Sequence, residues 1–243
     1  KFKYLEHVKT PAELPVIISA ARSQQFRWNK GGAENFQKMT KRVLLDKDIS
    51  LKTKIHSVLH LLNSSMFLMV LIVAILSIPM LYIKNEHPHL KSYFYMISFF
   101  IVSSIIFFIC YWYMFKKSYG GGIKSFLKFT GTFFTFFSIA LGFSFHNSTA
   151  VLEGHFGKKS DFIRTPKFNI KTLKDSWKKN KYIHKKISTN TIIEGIMTLY
   201  FAFGMYSAFV VGNQEGDFGL FPFHLMLFLG FGYVFWKSIF SRA

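Results

Sequence analysis

Gln24, Arg27 and Trp28 stand in the pattern Gln-x-x-Arg-Trp within the string SQQFRWNKGG, residues 23–32. Arg presents a planar fork of donors that matches phosphate oxygens, Gln adds a neutral hydrogen bond, and Trp offers a flat apolar face on which a sugar ring can stack. Positions i and i+3 of a helix share a face, so Gln24 and Arg27 can address one ligand. An interfacial helix with an aromatic anchor and a snorkelling Arg would carry the same residues, and the string alone does not separate the two readings. A second group lies in EGHFGKKSDFIRTPKFN, residues 153–169. There Phe162, Thr165 and Lys167 set an aromatic ring, a hydroxyl and a cation within six residues, and Gly154 and Gly157 let the backbone swing. The competing reading is a basic loop resting on anionic lipid headgroups, which suits the Lys-rich stretch 171–186 better.

The elements that must position these groups are set by an unusual composition. The chain has 243 residues with a formal net charge of +19, from 31 Lys and Arg against 12 Asp and Glu, yet it is 50% hydrophobic and 19% aromatic, with a mean hydropathy of +0.24. The charge points to nucleic acid or an anionic surface and the hydropathy points to lipid. This composition excludes a disordered tail and a disulfide scaffold. The single cysteine, Cys110, cannot form an internal bridge and is expected to be a buried small apolar residue. The chain opens on Lys without a signal-peptide core, and we expect it to start partway through a longer protein.

Charge and apolar residues separate into alternating blocks. Four apolar blocks, residues 62–83, 93–115, 191–211 and 218–240, are close to the roughly 20 residues a membrane span requires. Glu194 near the start of the third is read as a carboxylate at the positive end of a helix capped by Thr191 or Asn190, against the alternative of a functional intramembrane acid. Residues 1–60 hold 12 Lys and Arg, 116–128 hold 4, 153–190 hold 11 and the tail after 236 holds 2. The loop 84–91 holds only Lys84 and Lys91, and the loop 212–217 none. By the positive-inside rule the basic groups face the cytoplasm and the two short loops face out. No nucleic-acid partner is then needed, and anionic lipid takes its place.

Residues 125–147 break this parity, because they lie between two basic segments. Lys128, Thr132, Thr135, Ser138, Gly142 and His146 recur there at spacings of three or four opposite many Phe side chains. The pattern suggests an amphipathic helix lying in the interface, with a re-entrant or buried helix as the alternative. Residues 34–62 read as one or two amphipathic helices broken near 46–50, and Gly120 to Gly122 as a hinge.

The run PAELP, the Gln-x-x-Arg-Trp string and RWNKG together resemble membrane-embedded family 2 glycosyltransferases, the group that includes cellulose, mannan and hyaluronan synthases. Phe162, Thr165 and Lys167 also match Phe-x-Val-Thr-x-Lys, the gating loop of cellulose synthase, with Arg164 replacing the Val and Pro166 at the free position. The order interfacial helix, gating loop, two spans is that of cellulose synthase as well. The resemblance implies that Gln24, Arg27, Phe162, Thr165 and Lys167 bind the nucleotide diphosphate and that Trp28 stacks on the acceptor sugar. It implies an inverting transfer from a UDP- or GDP-linked sugar to a polysaccharide or glycolipid acceptor, with extrusion through a channel. A catalytic base and a divalent metal, Mg or Mn, belong to the parent enzyme, and this chain is expected to hold neither a catalytic residue nor a metal ligand. The site is expected in a bacterial inner (plasma) membrane with the gating loop cytoplasmic.

The expectation is therefore an all-α membrane protein with about four transmembrane helices. Residues 1–61 end the cytoplasmic catalytic region and carry the interfacial helices, 62–115 form two spans, 125–147 an interfacial helix, 148–190 the gating loop and basic segment, and 191–240 two further spans. A non-processive lipid glycosyltransferase, or a basic transporter or scaffold without enzymatic activity, is the alternative. His56 and His60, at i and i+4, lack a third ligand for metal. His87 and His89 are read as solvated, and His146 as a structural hydrogen-bonding residue or, in the alternative, a channel contact. The sequon-like Asn147-Ser148-Thr149 is placed on the cytoplasmic side and is expected to stay unmodified.

Overall fold

The computed structural model describes the chain apart from residues 1–2, 6, 11, 13, 16, 100, 161–186, 213–214 and 241–243. Phe162, Arg164, Thr165, Pro166 and Lys167 lie outside the described residues. Among those described, every regular element is helical: α1 Ile18–Leu45, α2 Leu51–Leu61, α3 Met66–Glu86, α4 Lys91–Ser98, α5 Ile101–Tyr119, α6 Ile123–Gly142, α7 Ser144–His155, α8 Thr189–Val210 and α9 Phe221–Phe240, with 3-10 turns at Leu62–Ser65 and Pro88–Leu90. This is the all-α membrane architecture expected.

The breaks have local causes. Between α1 and α2 the backbone turns extended at Asp46, whose carboxylate accepts the Asp48 amide, and Ser50 then caps α2 by accepting the Thr53 amide at 3.3 Å. Gly120 and Gly122 adopt φ of 86° and 101°, a region that favours glycine, and so end α5 and start α6. Residues 144–155, expected partly as loop, continue the helix after a one-residue break at Phe143.

Five helical stretches are long and apolar enough to cross a membrane by length and composition: Leu51–Glu86, Pro88–Tyr119, Ile123–Gly142, Thr189–Val210 and Phe221–Phe240. That is one more than the four expected from sequence, and the addition is α6. Its small and polar stripe is not simply a water-facing face. Ser138 and Gly142 are buried against α9, where a Cβ on Gly142 would come within 2.3 Å of the Gly230 carbonyl oxygen. Small residues here allow two backbones to meet, as in many membrane helix pairs.

The core sits between α3, α8 and α9, where Leu71, Ala74, Ile78, Phe201, Leu227 and Phe231 are buried together. Polar side chains close the same seam. Ser77 Oγ donates to the Ala74 carbonyl and accepts from His224 Nε2 at 2.8 Å, and the Tyr82 hydroxyl donates to Ser207 Oγ at 3.0 Å. At the end of this bundle Lys84 reaches Asp217 at 2.7 Å and Asn85 reaches the same carboxylate at 3.2 Å, so the last turn of α3 meets the loop between α8 and α9. Burial acts to raise the Asp217 carboxyl, but the bonds from Lys84, the Gly219 amide and Asn85 outweigh it and hold the group below the usual range.

Helix α5 is peripheral. Phe108, Trp112 and Phe115 pack on Phe126, Phe129 and Phe133 of α6, with ring centroids 5.0–6.1 Å apart in the pairs Phe108–Phe133, Phe108–Phe126 and Trp112–Phe126. Cys110, two residues from both Phe108 and Trp112, points away from that seam and is exposed, contrary to the expectation of burial.

Candidate functional site

Gln24, Arg27 and Trp28 all lie on α1, within one turn of the same face. At about 100° per residue they sit roughly opposite Arg22, Asn29 and Ala33, which are buried. Trp28 is 61% exposed, whereas Gln24 and Arg27 are half-buried. An aromatic ring of that size left uncovered is not contributing to the core of this chain. Gly31 shares the face and has open space where a side chain would project.

The opposite face of α1 is held by three polar contacts. The first is an ion pair between the Arg22 guanidinium and the Glu194 carboxylate of α8, both buried, with Arg22 Nη2 also donating to Ser238 Oγ of α9 at 2.8 Å. Glu194 is thus neither a solvated acid nor a helix-end charge. Ser188 is the cap of α8, accepting the Thr191 amide at 3.3 Å, and the expected caps Thr191 and Asn190 do not fill that role.

His146 of α7 makes the second contact. Its Nε2 donates to the Arg22 carbonyl at 3.1 Å and its Nδ1 accepts from Asn190 Nδ2 at 3.0 Å, so the neutral ring satisfies α1 and α8 at once. Burial lowers its pKa to about 4, with the adjacent Arg22 charge acting the same way and the bond to the Arg22 carbonyl acting against. The Phe26 ring lies 5.6 Å from the imidazole. This geometry is that of a structural histidine.

The third contact is at the foot of α7. Lys30, 5% exposed, donates to Glu153 at 3.2 Å and to Ser160 at 2.8 Å, and Lys158 binds the other Glu153 oxygen at 2.7 Å. The bond from Lys158, helped by Lys30, holds the Glu153 carboxyl below its usual range against a modest opposing effect of burial. Gly154 permits the close approach, since a Cβ there would lie 2.6 Å from the Lys30 carbonyl oxygen. His155 bridges further, accepting from Gln37 Nε2 at 3.1 Å and bonding Ser65 Oγ at 2.8 Å. Chain entering the basic segment 161–186 is therefore tied at Ser160 to the helix that carries Arg27 and Trp28.

The inner face of α7 adds Ser144, Asn147 and Ser148, all at most 2% exposed, whose side-chain polar atoms have no hydrogen-bond partner among the described residues. Asn147, the sequon position, is in the interior. Among the described residues no group of three or more His, Cys, Asp or Glu could hold a metal ion. Among the described residues, the divalent metal implied by the family resemblance finds no fitting donor set.

Sequence reasoning did not single out Arg22, Ser238, Asn190 or Lys30 as partners. The one available signal was Glu194 itself, because an acid within an apolar span calls for a buried cation.

No family model matches the chain, and no solved structure matches it significantly. A stretch of 56 residues is similar to plant enzymes. It is 45% identical to the probable glucomannan 4-beta-mannosyltransferase 11 of Oryza sativa subsp. japonica, over 23% of this chain and 10% of that protein. It is 41% identical to glucomannan 4-beta-mannosyltransferase 9 of Arabidopsis thaliana over the same shares. The match with these relatives thus spans about a tenth of their length, and over that stretch the chain resembles polysaccharide-forming glycosyltransferases.

Proposed function

We propose that this chain is the membrane-embedded part of a glycosyltransferase that builds a polysaccharide from a nucleotide sugar and passes it across the bilayer. The observation that carries the reading is the α1 face: Arg27, Gln24 and the exposed Trp28 share one side of a helix whose other side is fixed to the membrane bundle through Arg22 and Lys30. The similarity to glucomannan 4-beta-mannosyltransferases supports it and makes a mannosyl donor the first to test.

In this reading Arg27 and Gln24 hold the nucleotide diphosphate as it departs, a task for a bidentate cation and a neutral donor. Trp28 holds the acceptor sugar ring by stacking. Phe162, Thr165 and Lys167 close over the nucleotide from the basic segment whose root Lys30 and Ser160 fix. The donor is a UDP- or GDP-linked sugar and the acceptor a growing polysaccharide or a glycolipid. The inverting base and any divalent metal belong to sequence outside the described residues. The relatives are plant proteins, so a bacterial inner membrane finds no support from them, and the reading requires only that the basic segments face the nucleotide-sugar pool.

The test uses membranes containing the full parent enzyme and labelled GDP-mannose or UDP-glucose. Polymer of many sugars is the expected product, and Trp28→Ala is expected to lower synthesis at least tenfold with unchanged membrane insertion. A product limited to a mono-glycosylated lipid, or near-normal synthesis by the variant, would overturn the assignment.

A further inference from the structure

Away from the α1 face, α6 and α9 leave an open groove of about 740 Å³ between them. Its walls include Phe134 and Thr135 from α6 and Leu229, Tyr233 and Trp236 from α9, and its floor includes Ser138. Both helices have the length and composition of membrane spans, so the groove opens on an apolar surface. Lys237 lies at one end, with its Nζ 5.9 Å from the Tyr233 ring centroid, and it is the sole charged residue of α9. Trp236 and Tyr233 beside it are exposed at 58% and 42%.

We infer that this groove is a binding site for an anionic phospholipid, with one acyl chain between α6 and α9 and the headgroup phosphate at Lys237. Three features favour that occupant. The lining is aliphatic and aromatic for most of its length, which suits a hydrocarbon chain. A sugar polymer would need partners for many hydroxyls, and apart from Tyr233 the lining carries only the hydroxyls of Thr135 and Ser138, so most of a polymer's hydroxyls would be left without partners. Trp, Tyr and Lys gathered at one end of a spanning helix form the combination that sits at headgroup depth, where a nearby Lys favours net negative lipid. The lining shares no residue with the α1 face, so the groove stands as a lipid site whether or not the chain belongs to a polysaccharide synthase.

Trp236 is its own reporter. In the 243-residue chain held in a non-ionic detergent, with the other three tryptophans replaced by Phe, brominated phosphatidylglycerol is expected to quench Trp236 in a saturable way. Half-quenching is expected at about fivefold lower mole fraction than for brominated phosphatidylcholine, the factor that about 1 kcal/mol for one Lys at an anionic surface represents. Lys237→Gln is expected to make the two lipids equal. Thr135→Phe, which changes an exposed position and narrows the groove, is expected to raise both half-points severalfold, with circular dichroism confirming intact helices. Quenching that rises linearly with lipid and is indifferent to Thr135→Phe would show only a general lipid annulus and overturn the site. Equal quenching by the two lipids in the parent chain would remove the headgroup assignment, and displacement of lipid by a mannose oligosaccharide would give the groove to polymer.

Discussion

Arg22 and Glu194 lie 172 positions apart and form an ion pair in the interior, joining the helix that carries Gln24, Arg27 and Trp28 to one of the candidate membrane spans. The pair acts as a structural pin. Two charges taken out of water are costly unless each satisfies the other, and Ser238 adds a further acceptor for the guanidinium.

Glu194→Leu alone, or Arg22→Met alone, is expected to destabilise the chain by about 3–5 kcal/mol, because each strands a buried charge. The double substitution is expected to recover most of that loss. Thermal unfolding in detergent would check both. A double variant no better than the worse single one would show that the pair contributes more than mutual neutralisation.

The seam between α6 and α9 gives a second expectation. Gly142→Val puts a branched side chain against the Gly230 backbone and is expected to cost about 1–3 kcal/mol or to separate the helices. Gly131→Ala on the same helix meets no atom within 4 Å and is expected to be neutral or stabilising by up to about 1 kcal/mol. Comparing the two melting temperatures separates crowding from a general effect of helical glycine.

His146 sets a pH dependence. Its folded-state pKa, about 4, lies below the ordinary 6.5, so the unfolded chain binds the proton more readily and stability falls as pH drops through that window. Between pH 7 and pH 5 the share of the loss due to His146 is expected to be about 2 kcal/mol, and that share is absent from His146→Gln. The depressed Glu153 carboxyl acts only below its usual 4.5, where its contribution is lost on acidification, so it does not blur the higher window. The difference between parent and variant across pH 5–7, measured by denaturant titration, isolates the imidazole. A flat difference would contradict the bonding to Arg22 and Asn190.

Gln24→Ala and Trp28→Ala address the proposed reaction in different ways. With the full parent enzyme, Trp28→Ala is expected to raise the acceptor concentration needed for half-maximal rate, whereas Gln24→Ala is expected to lower turnover at saturating acceptor. Trp28 is mostly exposed, so Trp28→Ala is expected to carry a loss of stability no greater than about 0.5 kcal/mol. Identical kinetic changes in both variants would argue that the two side chains share one task.

Much of the fold could be read from local pattern. Apolar block length marked the spans, the polar interruption at 46–50 marked the break between α1 and α2, and three glycines marked a hinge that does contain two positive φ angles. What escaped was long-range pairing. Nothing near Arg22 announces an acid 172 residues away, and the identity of its partner depends on how α1 lies against α8. The stripe on α6 did not reveal its partner for a related reason: Ser and Gly mark a polar face in water but a close contact between helices in lipid, and periodicity is the same in both cases. Cys110 was expected inside as a small apolar residue, but on a helix that faces lipid an apolar side chain can lie on the outside.

The seam of α3 with α8 and α9 also bears on how the protein is made. Lys84 and Asp217 are 133 residues apart, so at about 5–20 residues per second α3 leaves the ribosome roughly 7 to 27 s before the hairpin that covers it. During that interval Ser77 has no His224 to bond and Leu71, Ala74 and Ile78 have no core to enter. The nascent chain therefore passes through a stage in which a finished helix waits for its neighbours, and that stage is where a translocon or chaperone that shields α3 would have most effect.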